Sequence, residues 1–144
     1  MAKILVSNCL LGCNCRYKGD GCLSQALISL APEHTLIGVC PEQAGGLSTP
    51  RPPAEIQGDR VVSSQGTDVT EQYQRGAQTA LFLAKLNGID FAVLKAKSPS
   101  CGKGRIYDGT FTGRMCDGNG VTVQLLLDNG IPVYSENELD QLPL

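Results

Sequence analysis

The 144-residue chain has no tryptophan, one histidine and only 5% aromatic residues. So few flat side chains build no stacking platform for single-stranded nucleic acid. The formal net charge is -2, so no excess of basic residues is on offer to a phosphate backbone. Nucleic-acid polymer is therefore not an expected partner. The single histidine, His34, falls on a turn between an expected helix and strand, away from any nucleophile, and a Cys–His hydrolytic dyad has no support. No apolar run approaches the ~20 residues of a membrane span. Leu10-Leu11-Gly12-Cys13 could be mistaken for a lipoprotein cleavage site. The stretch before it is only Ile4-Leu5-Val6, broken by Ser7-Asn8, which is too short for a signal segment. No membrane partner is expected, and the expected location is the cytoplasm.

Cysteine, in contrast, is abundant, with seven in the chain. A reducing cytoplasm keeps thiols free, so metal or catalytic roles outrank disulfides. An odd number also cannot pair completely within one chain. The length and a hydrophobic content of 42% fit one domain, 1–144, with a core of its own.

Hydrophobic patterning predicts strands at 3–7, 35–39, 90–95 and 131–134, the first continuously apolar as in a strand buried on both faces. Helices are expected at 24–30, from the Asp68-x-x-Glu71 capping pattern to the Asn87-Gly88 stop, and at 120–128. Residues 56–63 suggest a small hairpin around Gly58-Asp59, and Asp108-Gly109 suggests another. Residues 40–53, with four prolines and two glycines, read as a stiff loop. Residues 60–95 read as one βαβ-like crossover. The expected class is α/β: a Rossmann-like open sheet, mostly parallel, with a small β-hairpin.

In such a sheet the carboxyl ends of neighbouring strands converge on a ligand crevice. Cys9, Cys40 and Cys101 each fall just past an expected strand, and each has a turn former beside it: Gly12, Pro41, and Pro99 with Gly102. Three thiolates meeting at one point suggest a metal centre with one coordination position open, hence catalysis. Inert packing is the competing reading for any one cysteine. Cys13, Cys15 and Cys22 with Cys9 give C-x3-C-x-C-x6-C, which matches neither zinc-ribbon nor local ferredoxin spacing. Cys116, before the last helix, reads as structural.

Glu42 lies two residues beyond Cys40. A carboxylate beside thiolates, crowded by like charge and removed from water, suits proton transfer. Ser98, whose backbone is restrained by Pro99, could relay a proton or orient a substrate. Arg16 and Arg51 lie in the two candidate loops and could neutralise the cluster or hold a polar substrate.

Ser7-Asn8-Cys9-Leu10-Leu11-Gly12, Cys15-Arg16-Tyr17, Cys40-Pro41-Glu42, and Gly45-Gly46-Leu47-Ser48-Thr49-Pro50-Arg51-Pro52-Pro53-Ala54-Glu55 occur in that order. Gly66-Thr67-Asp68-Val69-Thr70, Ser98-Pro99-Ser100-Cys101-Gly102 and Ile106-Tyr107-Asp108-Gly109-Thr110-Phe111 follow. Together these blocks resemble the thiouracil desulfidase family over nearly the whole chain. The resemblance implies a [4Fe-4S] cluster held by Cys9, Cys40 and Cys101, with one iron open to the sulfur of a thiolated pyrimidine or related thioamide. It implies Glu42 as acid/base and Ser98 as assisting hydroxyl, and Arg16, Arg51 and Ser100 become the candidate substrate contacts. Lys18 stands where the family usually reads Asp, and Cys13 and Cys22 are additions. The implied reaction is a non-redox, hydrolytic desulfuration of a thiouracil-type base or nucleoside. A sulfur or metal carrier and a zinc or thiol-redox protein are the alternatives; the latter lacks the expected C-x-x-C.

Overall fold

In the computed structural model, which describes residues 1–144, strand β1 (Lys3–Ser7) runs directly into a 3-10 turn (Asn8–Leu11). A loop leads to the short helix α1 (Gln25–Ile28), strand β2 (Thr35–Val39) and the single-turn helix α2 (Pro41–Ala44). The hairpin β3 (Ala54–Gln57) and β4 (Arg60–Ser63) precedes the long helix α3 (Thr70–Asn87) and strand β5 (Phe91–Leu94). A second hairpin, β6 (Arg105–Tyr107) and β7 (Met115–Asp117), is followed by α4 (Val121–Asp128), β8 (Val133–Ser135) and a terminal 3-10 segment (Glu136–Gln141). No helix is long and apolar enough to cross a membrane.

The four apolar strands form one parallel sheet in the order β2-β1-β5-β8. Strand alternation sends neighbouring residues to opposite faces. Leu5, Ala92, Leu94 and Val133 pack on Ala80 and Ala84 of α3 and on Val123 and Leu126 of α4. Ile4, Val6, Phe91 and Val93 pack on Leu10 and Leu27. Full burial of such a side chain contributes roughly 1.5–3 kcal/mol, so both faces are covered and ligand chemistry is left to the sheet's edges.

Several sequence expectations change. The 40–53 segment is not all loop, because Pro41 takes the first helical position and opens α2, where its missing N–H costs nothing. The Asp68–Glu71 capping box does not form. Val69 occupies the cap position, Asp68 Oδ1 accepts from the Thr70 N–H and hydroxyl, and Glu71 pairs with Arg75. Residues 60–95 are not a crossover within one sheet, since β4 pairs only with β3; the crossover runs from β2 through α3 to β5. The hairpin expected at Asp108-Gly109 does form, as β6 and β7, but with a longer connection than the dipeptide alone. Tyr107 pairs with Met115, so the connection is 108–114. The last strand is Val133–Ser135, shifted toward the carboxyl terminus because Pro132 supplies no ladder N–H. Gly58-Asp59 does join β3 to β4, and Gly88, with φ 62, does end α3 in the left-handed conformation.

The placement of α2 depends on two glycines. A Cβ on Gly76 of α3 would lie 1.8 Å from the Pro41 carbonyl oxygen, and one on Gly45 would lie 1.9 Å from the Gln72 carbonyl oxygen. The two backbones therefore touch, and no side chain can be interposed. Gly76→Ala should lower unfolding stability by about 1–3 kcal/mol, the range for overpacking, as measured by denaturant titration. An increase, as helix propensity alone would give, would contradict this packing.

Candidate functional site

The chain leaves β1 for β2 in one direction, then crosses back over β1 to reach β5. That reversal, between β1 and β5, is where open α/β sheets bind ligands. A cavity of about 420 Å³ lies at the carboxyl ends of these strands and is lined by Cys9, Cys15, Cys40 and Cys101. Parallel pairing sets the convergence: Ser7 is opposite Val39, and Val6 is opposite Val93. The residues that follow each strand must therefore share one edge. Cys9 comes from the 3-10 turn after β1, Cys40 directly follows β2, and Cys101 lies within the connection from β5 to β6. Cys9, Cys15 and Cys101 are buried, Cys40 is half-buried, and all seven cysteines are free thiols. The Cys40 Sγ lies 3.8 Å from the Cys15 carbonyl oxygen. Cys13, Cys22 and Cys116 are not on the cavity wall. Cys116, before the last helix as expected, sits on β7 opposite Ile106.

Burial raises the Cys9 thiol above its ordinary range, and the charges of Cys101, Cys15 and Cys22 reinforce it. Cys15 is pushed up to about 12, by burial first and then by Cys40. Cys101 is also pushed up to about 12 by burial, opposed by hydrogen bonding to Ser7 and Ser100 and reinforced by the Glu42 and Cys40 charges. The four thiols thus act on one another across one cavity. No three His, Cys, Asp or Glu groups converge tightly enough to hold a single metal ion. The donor set is soft and thiol-only, with three of its four thiols buried. Such a set fits an iron–sulfur cluster, whose own width separates its ligands, better than zinc.

Glu42 enters the cavity from the first turn of α2 and is clamped by Arg51. The Arg51 Nη2 lies 2.7 Å from Glu42 Oε2 and Nε donates to the same oxygen at 2.9 Å. The guanidinium also donates to the Cys15 carbonyl at 3.0 Å and to Ser48 O and Thr49 Oγ1, each at 3.1 Å. Arg51, 6% exposed in its side chain, has its donors engaged within the protein. It binds the carboxylate and the Cys15 loop, and no guanidinium N–H is left over for the expected substrate contact. Glu42 Oε1 is left facing Ser98, whose Oγ lies 3.5 Å away. That Oγ accepts from the Ser100 N–H at 3.0 Å and the Cys101 N–H at 2.8 Å. Its own proton is therefore directed outward, toward Glu42.

Arg16 does line the cavity, 3.5 Å from Asp20. Ser100 does not. It is wholly buried with its Oγ 2.8 Å from Thr122 Oγ1, so it fastens the cysteine loop to α4 and offers a substrate no surface. His34 serves the fold, its Nδ1 accepting from the Ala2 N–H at 2.9 Å. Three cavity residues went unforeseen. Tyr73 has helical spacing typical of core, yet it reaches the cavity, and burial followed by the Glu42 charge keeps its phenol neutral. Lys95, at the end of β5, pairs with Glu136 at 2.7 Å. Glu55 sits on β3, and its alternation with Ala54 and Ile56 gave no sign that it would be buried.

The model of the 2-thiouracil desulfurase family matches residues 4–138. A Bacillus subtilis (strain 168) protein, "Uncharacterized protein YbbK", is 45% identical over 149 residues, covering 96% of this chain and 99% of that protein. A solved structure described as the [4Fe-4S]-dependent thiouracil desulfidase TudS is 51% identical and superposes with a TM-score of 0.94, over 99% of this chain and 95% of that one. With the fold, the cysteine cavity and these matches in agreement, the chain belongs to the 2-thiouracil desulfurase family.

Proposed function

We propose that this protein is a [4Fe-4S]-dependent desulfidase that replaces the sulfur of a thiolated pyrimidine base or nucleoside with oxygen from water. Cys9, Cys40 and Cys101 would hold the cluster. When bound, the cluster supplies a Lewis-acidic iron with a position open to the sulfur of C=S. The observation that carries the reading is that the Glu42–Ser98 pair and the four thiols line one cavity. The family membership and the TudS likeness support the substrate class.

The chain's own residues account for the proton traffic. Arg51 holds Glu42 Oε2 and leaves Oε1 to accept a proton from the attacking water. Water oxygen bonds to the carbon, the C–S bond breaks, and the products are the C=O base and sulfide. No electron is gained or lost. The Ser98 hydroxyl, polarised by two amide donors, passes a proton between Glu42 and the departing side. Tyr73, neutral beside Glu42, helps seal that carboxylate from bulk water. The setting is a reducing cytoplasm that keeps the thiols free.

A carrier that only stores sulfide would need the thiols but no general base. Glu42→Gln should retain the cluster and lose about 100-fold or more in kcat for sulfide release from thiouracil. The assay is anaerobic and contains no added reductant or oxidant. Unchanged kcat would overturn the assigned base, and zero turnover by the loaded wild type would favour the carrier.

Burial also dictates how the metal-free protein responds to pH. The Cys101 thiol has an ordinary value of 9.0 and sits at about 12 in the fold. Between those values the unfolded chain has lost a proton that the folded chain keeps, so raising the pH favours unfolding. Metal-free protein should lose stability progressively as pH rises from about 9 to about 12, and Cys101→Ala should flatten that decline. A denaturation midpoint flat across this window in the wild type would contradict it. Cluster loading must expel these same protons, so it should strengthen with rising pH while the fold holds.

A further inference from the structure

Glu55 is a carboxylate only 8% exposed, on the cavity wall formed by β3. It has no ion-pair partner. Its Oε1 accepts from the Gly109 N–H at 2.9 Å and the Phe111 N–H at 3.2 Å. These bonds tie the 108–114 connection to β3 and hold Phe111 in the left-handed region, with φ 57. Oε2 takes no hydrogen bond from the protein, yet it is not sealed from solvent. The opening available to so buried a side chain is the cavity. A carboxylate oxygen on the cavity wall, with no ion pair and no protein donor of its own, selects a ligand that brings an N–H donor. Tyr107 and Phe111 flank the same wall and give a flat ring something to lie against.

We propose that Glu55 Oε2 accepts a hydrogen bond from a ring N–H of the thiolated pyrimidine, and that this contact orients the ring and makes the free N–H a requirement for binding. The inference deepens the desulfidase reading and rests on it. It also divides the two carboxylates of the cavity. Glu42, neutralised by Arg51, handles protons of water; Glu55, without an ion pair, reads the ring. Substrates in which that nitrogen carries a substituent should be excluded, which separates free bases from derivatives blocked at that position.

The test uses the cluster-loaded protein under anaerobic conditions. Binding of uracil, 1-methyluracil and 3-methyluracil is measured by calorimetry, and sulfide release is measured from the corresponding 2-thio compounds. In the wild type, one of the two methylations should weaken Kd and raise KM by about tenfold or more, the range for a hydrogen bond to a charged group. In Glu55→Gln, which keeps an oxygen for Gly109 and Phe111, that penalty should shrink to within about twofold. Two outcomes overturn the proposal: both methyl compounds binding the wild type within twofold of uracil, or a penalty that persists undiminished in Glu55→Gln. If Glu55→Gln does not fold, both methyl compounds binding the wild type within twofold of uracil still overturns the proposal. Wild-type protein that binds the uracil series with the methyl penalty, yet releases no sulfide from any thio compound, would overturn the desulfidase reading while leaving the ring contact in place.

Discussion

Parallel pairing of β1 with both β2 and β5 is the constraint from which the site follows. With the register Ser7–Val39 and Val6–Val93, residues that follow these strands emerge at the same edge, whatever their separation in the chain. Cys9, Cys40 and Cys101 are thereby delivered to one cavity. The packed faces reinforce this. Because helices cover both sides of the sheet, the edge beyond β1, β2 and β5 is the place left for polar chemistry.

The cavity carries opposing electrostatic demands. Buried thiols prefer their protons, so the metal-free fold resists the charge that a cluster requires. Arg51 brings a fixed cation into this setting and binds Glu42 and the Cys15 carbonyl at once. A buried pair of this kind contributes little as a staple, but losing one member strands the other, at a cost of about 3–5 kcal/mol. Its value lies in geometry: one carboxylate oxygen is fixed and the other faces Ser98. The α2–α3 contact through Gly45 and Gly76 sets where that carboxylate stands, so a packing detail on the far side of the helix reaches the chemistry.

Much of this was legible in the chain. Continuous apolar runs gave all four strands of the sheet, and the position of three cysteines just past strands pointed to their meeting. Glu42 and Ser98 were legible because each lies two or three residues from a cysteine and beside a proline. What depends on long-range contact was not. Tyr73 looks like any core residue of an amphipathic helix, since nothing local marks which face meets a cavity. Ser100 and Ser98 are two residues apart with similar local context, and only the approach of Thr122 buries one and spares the other. Arg51 could be placed near the site, but its choice of Glu42 over a ligand arises from the fold of the 40–53 segment. Glu55 escaped notice because its partners, Gly109 and Phe111, lie more than fifty residues away.

In the proposed function three particular thiols, and not the others, hold the cluster. Counting iron and acid-labile sulfide per chain after anaerobic reconstitution, for the wild type and for each of the seven cysteines changed singly to serine, tests it most directly. Four irons are expected in the wild type and in the variants at Cys13, Cys15, Cys22 and Cys116, with loss of the intact cluster at Cys9, Cys40 and Cys101. A full cluster in any of those last three, or its loss on changing Cys15, would contradict that assignment.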